Sequence, residues 1–559
     1  MDSKMTNVPR DNGTIIQSRP WLALCILILA SAMDMIDVCI MNVALPVMQK
    51  ELGTTYSTLQ WVIAGYSLAF AVLLITGGRL GDIFGRKKLF LIGIAGFTIT
   101  SAVCGFAQTS IVLVLFRFLQ GALAAMMVPQ VLSIIQVIFP PKQRGVAAAI
   151  YGAMAGLATV VGPVIGAILT QSNILGLSWR PIFFVNVPLG IVAFIFSILV
   201  LKESKATNAR RLDIVGVIIV SIALFLLIFP IIQGGEMGWP VWGYIMIAAS
   251  IPVFVLFVMY ESKISKDGSP LIVLGLFRNR AFSIGLIVNL FIYAGVTSFF
   301  MLLSIYTQTG LGYSVLNAGL ITLPWTIGMF IASPLASMFV YKNGRRALLV
   351  GTFLLVVGIA GLIFTINQFG IDIKAWQLSV SLVIGGFGMG LIVPILLTMI
   401  IAGVDQNDAG SASGIINTTS QIGNAVGIAI IGVVLVSMLS STSQQSVNTV
   451  IPDMKGELAK IGVTAQVSDS ITESYSKQYV ERMSSSTLSS DNSQSSSSNT
   501  TKPVDPAIKK VLEDSTVVAV KHSFSDSTKF TLIYNITVFV IAFILLLFFP
   551  KNVEVKEQK

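Results

Sequence analysis

Long apolar runs separated by short polar stretches set the plan of this chain. Fourteen runs are long enough to cross a bilayer, near 21–47, 59–79, 88–107, 111–139, 145–170, 181–201, 214–233, 241–260, 281–307, 316–340, 347–366, 376–402, 411–438 and 529–549. A helical span needs roughly 20 predominantly apolar residues. The runs predict helices, because a segment in oil must satisfy its own backbone polar groups. A membrane barrel would instead show alternating segments of about ten residues. The first run is too long for a cleaved signal and holds Asp34 and Asp37, so it reads as a retained helix. The expected fold class is an all-α polytopic membrane protein.

Composition sharpens the picture. Of 559 residues, 54% are hydrophobic and only 11% charged, whereas soluble domains carry about 25% charge. Large soluble enzymes, disordered chains and fibres are excluded. The net charge of +10 does not point to nucleic acid. Lys and Arg collect in the loops after even-numbered runs, for example Arg86, Lys87 and Lys88, then Lys142 and Arg144, then Lys342, Arg345 and Arg346. By the positive-inside rule both termini are expected in the cytoplasm. The loop after the twelfth run, with Asp405 and Asp408, is an exception.

Several chemistries lack their residues. Cys25, Cys39 and Cys104 all lie inside apolar runs, and His522 is the one histidine. No disulfide framework, metal site or Ser-His-Asp catalysis is expected, and no cofactor. The glycines at 385, 386, 388 and 390 sit inside an apolar run, and no Walker motif is present to bind ATP. The chain reads as a non-enzyme.

Residues 439–528 form the one long polar segment. Its serines, densest over 484–498, read as a flexible extracellular linker, and Asp505-Pro506 opens a short helix. A spacer, or a docking element for an unidentified partner, is the expected role.

An internal repeat appears at a shift of 265 residues. It matches Gly121 to Gly386, Val128-Pro129 to Val393-Pro394, Leu132 to Leu397, Gly145 to Gly410, Ala147 to Ala412 and Gly162 to Gly427. Two parallel halves of six helices fit, with the seventh and eighth runs as an inserted pair. Such duplication marks transporters with a midplane site. The expected organisation is a tail at 1–20, an N-terminal half at 21–201, the inserted pair with its linker at 202–262, a C-terminal half at 263–550 carrying the 439–528 loop, and a tail at 551–559.

Three motifs add chemistry. The loop after the second run reads Gly78-Arg79-Leu80-Gly81-Asp82-Ile83-Phe84-Gly85-Arg86-Lys87-Lys88. Its glycines allow a tight turn and Asp82 precedes a helix start, where negative charge is favoured. The fifth run carries Gly152, Gly156, Gly162, Pro163 and Gly166. Each glycine pair, four apart, offers a smooth face for close packing, and Pro163 can bend the helix. The first run contains Asp37-Val38-Cys39-Ile40-Met41-Asn42-Val43-Ala44-Leu45-Pro46.

These segments resemble the major facilitator superfamily. The loop matches its G-x-L-x-D-x-x-G-R-K/R signature. The run from Asp37 and the fifth-run glycines are similar to those of its fourteen-span drug:proton antiporters, with Ala167 replacing the last glycine of that motif. The second half keeps only Gly344-Arg345-Arg346, with Tyr341 where the acid would fall. The resemblance spans the membrane part and not 439–528. It implies the major facilitator fold, a plasma-membrane location, and efflux of small molecules in exchange for protons through alternating access. It also implies that the bend near Pro163 helps seal one side of the cavity.

Charges deep in spans are the strongest functional signal. Asp34, Asp37 and Arg117 lie within span cores. The acids, three apart, share a helix face. Asp37 is about 15 Å and Arg117 about 10 Å below the same surface, at 1.5 Å per residue. Burial opposes an ionised carboxylate and a nearby guanidinium favours it, an opposition that suits proton exchange. A fixed structural ion pair between Asp37 and Arg117 stays open as the alternative. Gln60, Tyr66, Gln120, Tyr151, Asn289, Tyr293, Asn417, Gln421 and Asn424 are the expected cavity residues. The reading is an exporter of amphipathic, cationic compounds. Export of a lipid, fatty acid or peptide, or a non-transporting sensor, are its alternatives.

Overall fold

The computed structural model describes residues 19–550 except 54–55, 172–175, 206–212, 235–236, 238, 268–270, 403, 405–407 and 485–505. It is helical throughout, with no strand among the described residues. In chain order the helices are α1 (Pro20–Leu52), α2 (Tyr56–Phe84), α3 (Arg86–Gly105), α4 (Ser110–Ile138), α5 (Pro141–Gln171), α6 (Pro181–Phe184), α7 (Asn186–Val200) and α8 (Ile214–Gly234). There follow α9 (Val241–Asp267), α10 (Arg280–Ile305), α11 (Val315–Ile321), α12 (Leu323–Phe369), α13 (Ser379–Ile401), α14 (Ala409–Lys460), α15 (Ala465–Ser484) and α16 (Pro506–Leu547).

Thirteen segments among the described residues are long and apolar enough to cross a membrane. The run expected at 145–170 forms α5 and is not among the thirteen; side chains of Gly156 and Pro163, among others on this helix, fall outside the described residues. α12 holds two spans, joined where the Asn343 backbone leaves the helical region at φ −138°, ψ 29°. That break lies in the second-half counterpart of the Gly78–Lys88 loop.

The repeat predicted at 265 residues has a packing cause. Gly121 of α4 presses on the Tyr66 carbonyl of α2, and its counterpart Gly386 of α13 presses on the Trp325 carbonyl of α12. Gly162 of α5 lies on Ile36 and Cys39 of α1, while Gly427 of α14 lies on the Ala294 carbonyl of α10. A Cβ at any of these four would overlap its neighbour, so each close helix crossing requires a residue without one. The prolines repeat too. Pro129 and Pro394 cannot donate to the carbonyls four residues back. The freed Ala125 carbonyl is covered by Gly77 of α2, and the freed Gly390 carbonyl accepts from Ser333 Oγ at 3.4 Å.

α8 and α9 pack on each other, and α8 packs against α2. Val220, Leu224, Ile228 and Phe257 join the larger apolar core, which also takes in Leu68, Ala71 and Ile75 of α2. Two smaller cores, around Phe90, Phe97 and Val131 and around Ile40, Val62 and Trp179, fill the N-terminal repeat.

The polar segment at 439–528 is more helical than expected. α14 runs on unbroken to Lys460, α15 follows, and α16 starts at Pro506 and continues into the last span. Val447, Val450, Tyr479, Met483 and Ala519 form a small apolar core among these three helices. Thr442 and Ser527 hydroxyls meet at 2.7 Å, and those of Tyr479 and Ser523 at 2.9 Å. Its described parts are therefore helical extensions of two spans with α15 packed on them. Its serine run from 485 lies outside the described residues.

Candidate functional site

The two embedded acids project from the middle of α1, with Asp34 6% and Asp37 1% exposed. Asp37 is compensated at both oxygens. Oδ2 pairs with Arg117. Oδ1 accepts from Asn186 Nδ2 at 2.8 Å and Gln120 Nε2 at 3.2 Å. Arg117 is equally engaged: Nε donates to the Val62 carbonyl at 3.0 Å and Nη1 to Gln120 Oε1 at 3.0 Å. A buried ion pair needs such extra hydrogen bonds, because each charge has given up its water. The clamp ties α1, α2, α4 and α7 together.

Asp34 is held differently. The hydroxyl of Tyr66 donates to Oδ1 and is its one hydrogen-bond donor among the described residues. The Arg117 guanidinium stacks over that same tyrosine ring, 4.3 Å from its centre. Tyr66 thus joins the two acids into one cluster, with one carboxylate fully paired and the other bound to a neutral group.

Tyr151 of α5 lies within electrostatic reach of both Asp34 and Tyr293 of α10. These two tyrosines bring the second repeat towards the acid of the first. The other expected cavity residues divide. Asn289 of α10 donates to Ser420 Oγ of α14 at 2.8 Å, and Asn424 of α14 accepts from Thr297 of α10 at 2.6 Å. Asn417 turns back to its own helix, donating to the Ser413 carbonyl at 2.9 Å, and Gln421 accepts from Asn424 at 3.5 Å. This α10–α14 seam lies within the second repeat. Gln60 is on α2, with its side chain outside the described residues.

The Gly78–Lys88 loop forms a lock between the repeats. Asp82 Oδ1 accepts from Arg86 at 2.7 and 3.2 Å, and Oδ2 accepts from the Ser411 backbone N–H at 3.2 Å. Ser411 lies in the first turn of α14, so Asp82 meets the positive end of a helix dipole. Ser413 adds a hydrogen bond to the Pro129 carbonyl at 2.8 Å. Gly78 is buried. Gly85 turns the chain at φ 113°, where a Cβ would stand 2.6 Å from the Glu203 carboxyl. Only glycine fits there. In the second repeat, which lacks the acid, Arg345 instead donates to the Leu546 carbonyl at 3.1 Å, at the end of α16. The span-five glycines serve two interfaces: Gly162 and Gly166 pack on α1, while Gly152 faces Val393 of α13 in the other repeat.

Three residues escaped the sequence reading. Asn186 holds Asp37 and also donates to Ser101 Oγ at 3.1 Å. Glu203 accepts from the Lys87 and Lys88 backbone N–H groups, each at 3.1 Å, and so caps α3. Ser411 completes the lock. Asn186 was readable as a lone amide in an apolar run; the others carry no signal beyond position.

Two structurally repeated sets of membrane helices around a buried charge cluster define a secondary-transporter architecture. The Major Facilitator Superfamily description matches residues 27–428, and the chain belongs to that superfamily. It is 37% identical to a protein named a probable actinorhodin transporter from Streptomyces coelicolor, over 81% of this chain and 78% of that one. It is 30% identical to the tetracenomycin C resistance and export protein of Streptomyces glaucescens, over 76% and 77%. Multidrug resistance protein 3 of Bacillus subtilis is 29% identical over 82% and 90%. Among solved structures, the human organic anion transporter MFSD10 shares the fold, with a TM-score of 0.53 and 15% identity over 74% of this chain and 93% of that one.

Proposed function

We propose that this protein exports amphipathic, cationic small molecules in exchange for protons, by rocking two six-helix halves (21–201 and 263–550) around the α1 acids. The inserted pair with its linker is 202–262. It sits in the plasma membrane with its tails, 1–20 and 551–559, in the cytoplasm. The observation that carries this reading is the inequality of the two acids. Asp37 is locked to Arg117, Gln120 and Asn186, whereas Asp34 meets only the Tyr66 hydroxyl among the described residues. Asp34 is therefore the group that can lose or gain a proton without stranding a buried guanidinium. A cation arriving between Tyr151, Tyr293 and Asp34 competes with that proton for one charge. The names of the relatives, which speak of antibiotic export and drug resistance, support the substrate class.

The test is transport by purified protein in liposomes under an imposed pH gradient, across cationic dyes, anionic lipids and peptides. Gradient-driven uptake of the cations supports the reading. Transport of lipids or peptides without the cations, or no transport of any of them, would overturn it.

A further inference from the structure

A second pair of acids stands apart from Asp34 and Asp37, at the base of the inserted helices. Asp213 immediately precedes α8, and Glu261 lies in the last turns of α9. Glu261 is 0% exposed. Its Oε1 accepts from the Leu271 backbone N–H at 3.3 Å, and its Oε2 is buried without a partner among the described residues. Asp213 Oδ1 accepts from the Tyr260 hydroxyl and the Gly216 backbone N–H, each at 2.9 Å. Its Oδ2 is likewise buried and unpartnered among the described residues. The two carboxylates border one small space: a Cβ on Gly216 would stand 2.5 Å from Asp213 Oδ2 and 2.7 Å from Glu261 Oε1. The absence of that Cβ is what lets them approach.

Orphaned buried oxygens in such a pair need a ligand. Two ionised carboxylates bordering one buried space repel, and a proton taken up by either relieves the repulsion. Calcium or magnesium would need more oxygens than the pair supplies. Among the described residues the other charged group facing the pair is Arg79 of α2, which acts on Glu261 and also on Asp82, itself paired with Arg86.

The pair is joined to the lock between the repeats through one residue. Leu271 donates its N–H to Glu261 and accepts from Ser411 Oγ at 3.4 Å through its carbonyl. Ser411 N–H in turn donates to Asp82. We propose that Asp213 and Glu261 form a proton-binding site, filled from cytoplasmic water, whose occupancy holds the Asp82–Ser411 lock shut. The bound proton sits on one of the two carboxylates, and on release it returns to water. With the proton in place Glu261 stays beside Asp213 and keeps Leu271 where Ser411 reaches it. Loss of the proton drives the carboxylates apart, withdraws Leu271 and loosens the N-terminal turn of α14. The site rests on the orientation proposed above, and not on Asp34 or on the nature of the cargo.

The test uses full-length protein in nanodiscs, with spin labels at Lys88→Cys and Arg346→Cys, exposed positions in the corresponding loops of the two repeats, in a Cys25→Ser background. Every sample also carries Asp34→Asn, so that the α1 acid cannot supply the pH response and a failure of the exchange reading leaves this test intact. The expected result is a short-distance population that grows on acidification. Glu261→Gln, whose amide can donate to Asp213, holds that population high at every pH, and Asp213→Asn also flattens the response. An unchanged pH response in both variants, or no response in the parent, would overturn the proposal.

Discussion

At the scale of residues, the N-terminal repeat holds its two acids in different surroundings. Replacing Asp34 by Asn removes the proposed proton-exchanging carboxyl but keeps a hydrogen-bond partner for Tyr66. Asp34→Asn is expected to insert normally, to lose accumulation driven by a pH gradient, and to retain exchange of labelled for unlabelled substrate; flux assays in liposomes read all three. Asp37→Asn strands the Arg117 guanidinium. Breaking a buried pair costs about 3–5 kcal/mol, so this variant is expected to lose thermal stability along with transport, and Asp37→Asn with Arg117→Gln to recover part of the stability alone. A third ion pair behaves differently because it is half in water. Partial burial pushes the Glu51 carboxyl up, but Arg180, helped by Ser178 and Trp179, outweighs this and holds it below its ordinary 4.5. A lowered folded value means stability that is complete above the unfolded value and is lost as pH falls through the folded one. Glu51→Gln should therefore narrow the stability difference between neutral and acidic pH, by about 0.2–1 kcal/mol for a pair this exposed. The embedded acids were legible in the sequence because charge is costly in an apolar run. Asn186 was harder: its value depends on the break between α6 and α7, which turns its amide onto Asp37.

At the scale of elements, glycine and proline placement explains why the repeat survives in sequence. Side chains that only fill oil can drift, but Gly121 and Gly386 each lie against a carbonyl of the neighbouring helix, where a methyl group has no room. Gly121→Val and Gly386→Val are expected to be similarly damaging, each by more than the 1–3 kcal/mol typical of overpacking, since backbone rather than a side-chain tip must yield; melting of the purified variants compares them. Membrane spans were legible from hydropathy alone. The extension at 439–484 was not, because its serines and charges resemble a linker and its apolar positions, Val447, Val450, Tyr479 and Met483, are too sparse to stand out. The helices there are held by a few buried contacts and by continuity with the spans beneath.

At the scale of the whole molecule, the repeats meet through Asp82. Its carboxylate is held by Arg86 within one repeat and offers its second oxygen to α14 of the other. Asp82→Ala removes the anion from the α14 N-terminus, where such charge contributes about 0.3–1 kcal/mol or more when buried. The expected outcome is slower turnover with near-normal substrate binding, measured by pairing flux with equilibrium dye binding; weakened binding at full turnover would contradict the lock. The motif was legible as a loop, while Ser411, 329 positions away, could be found only in the folded protein.

Proton release on binding tests the exchange most directly. Purified protein in weakly buffered solution is mixed with a saturating cationic dye, and the pH change is recorded. Uptake of the cation is expected to expel protons from the wild type and from the Asp82→Ala variant, but not from Asp34→Asn. Equal release from Asp34→Asn and wild type would contradict the account.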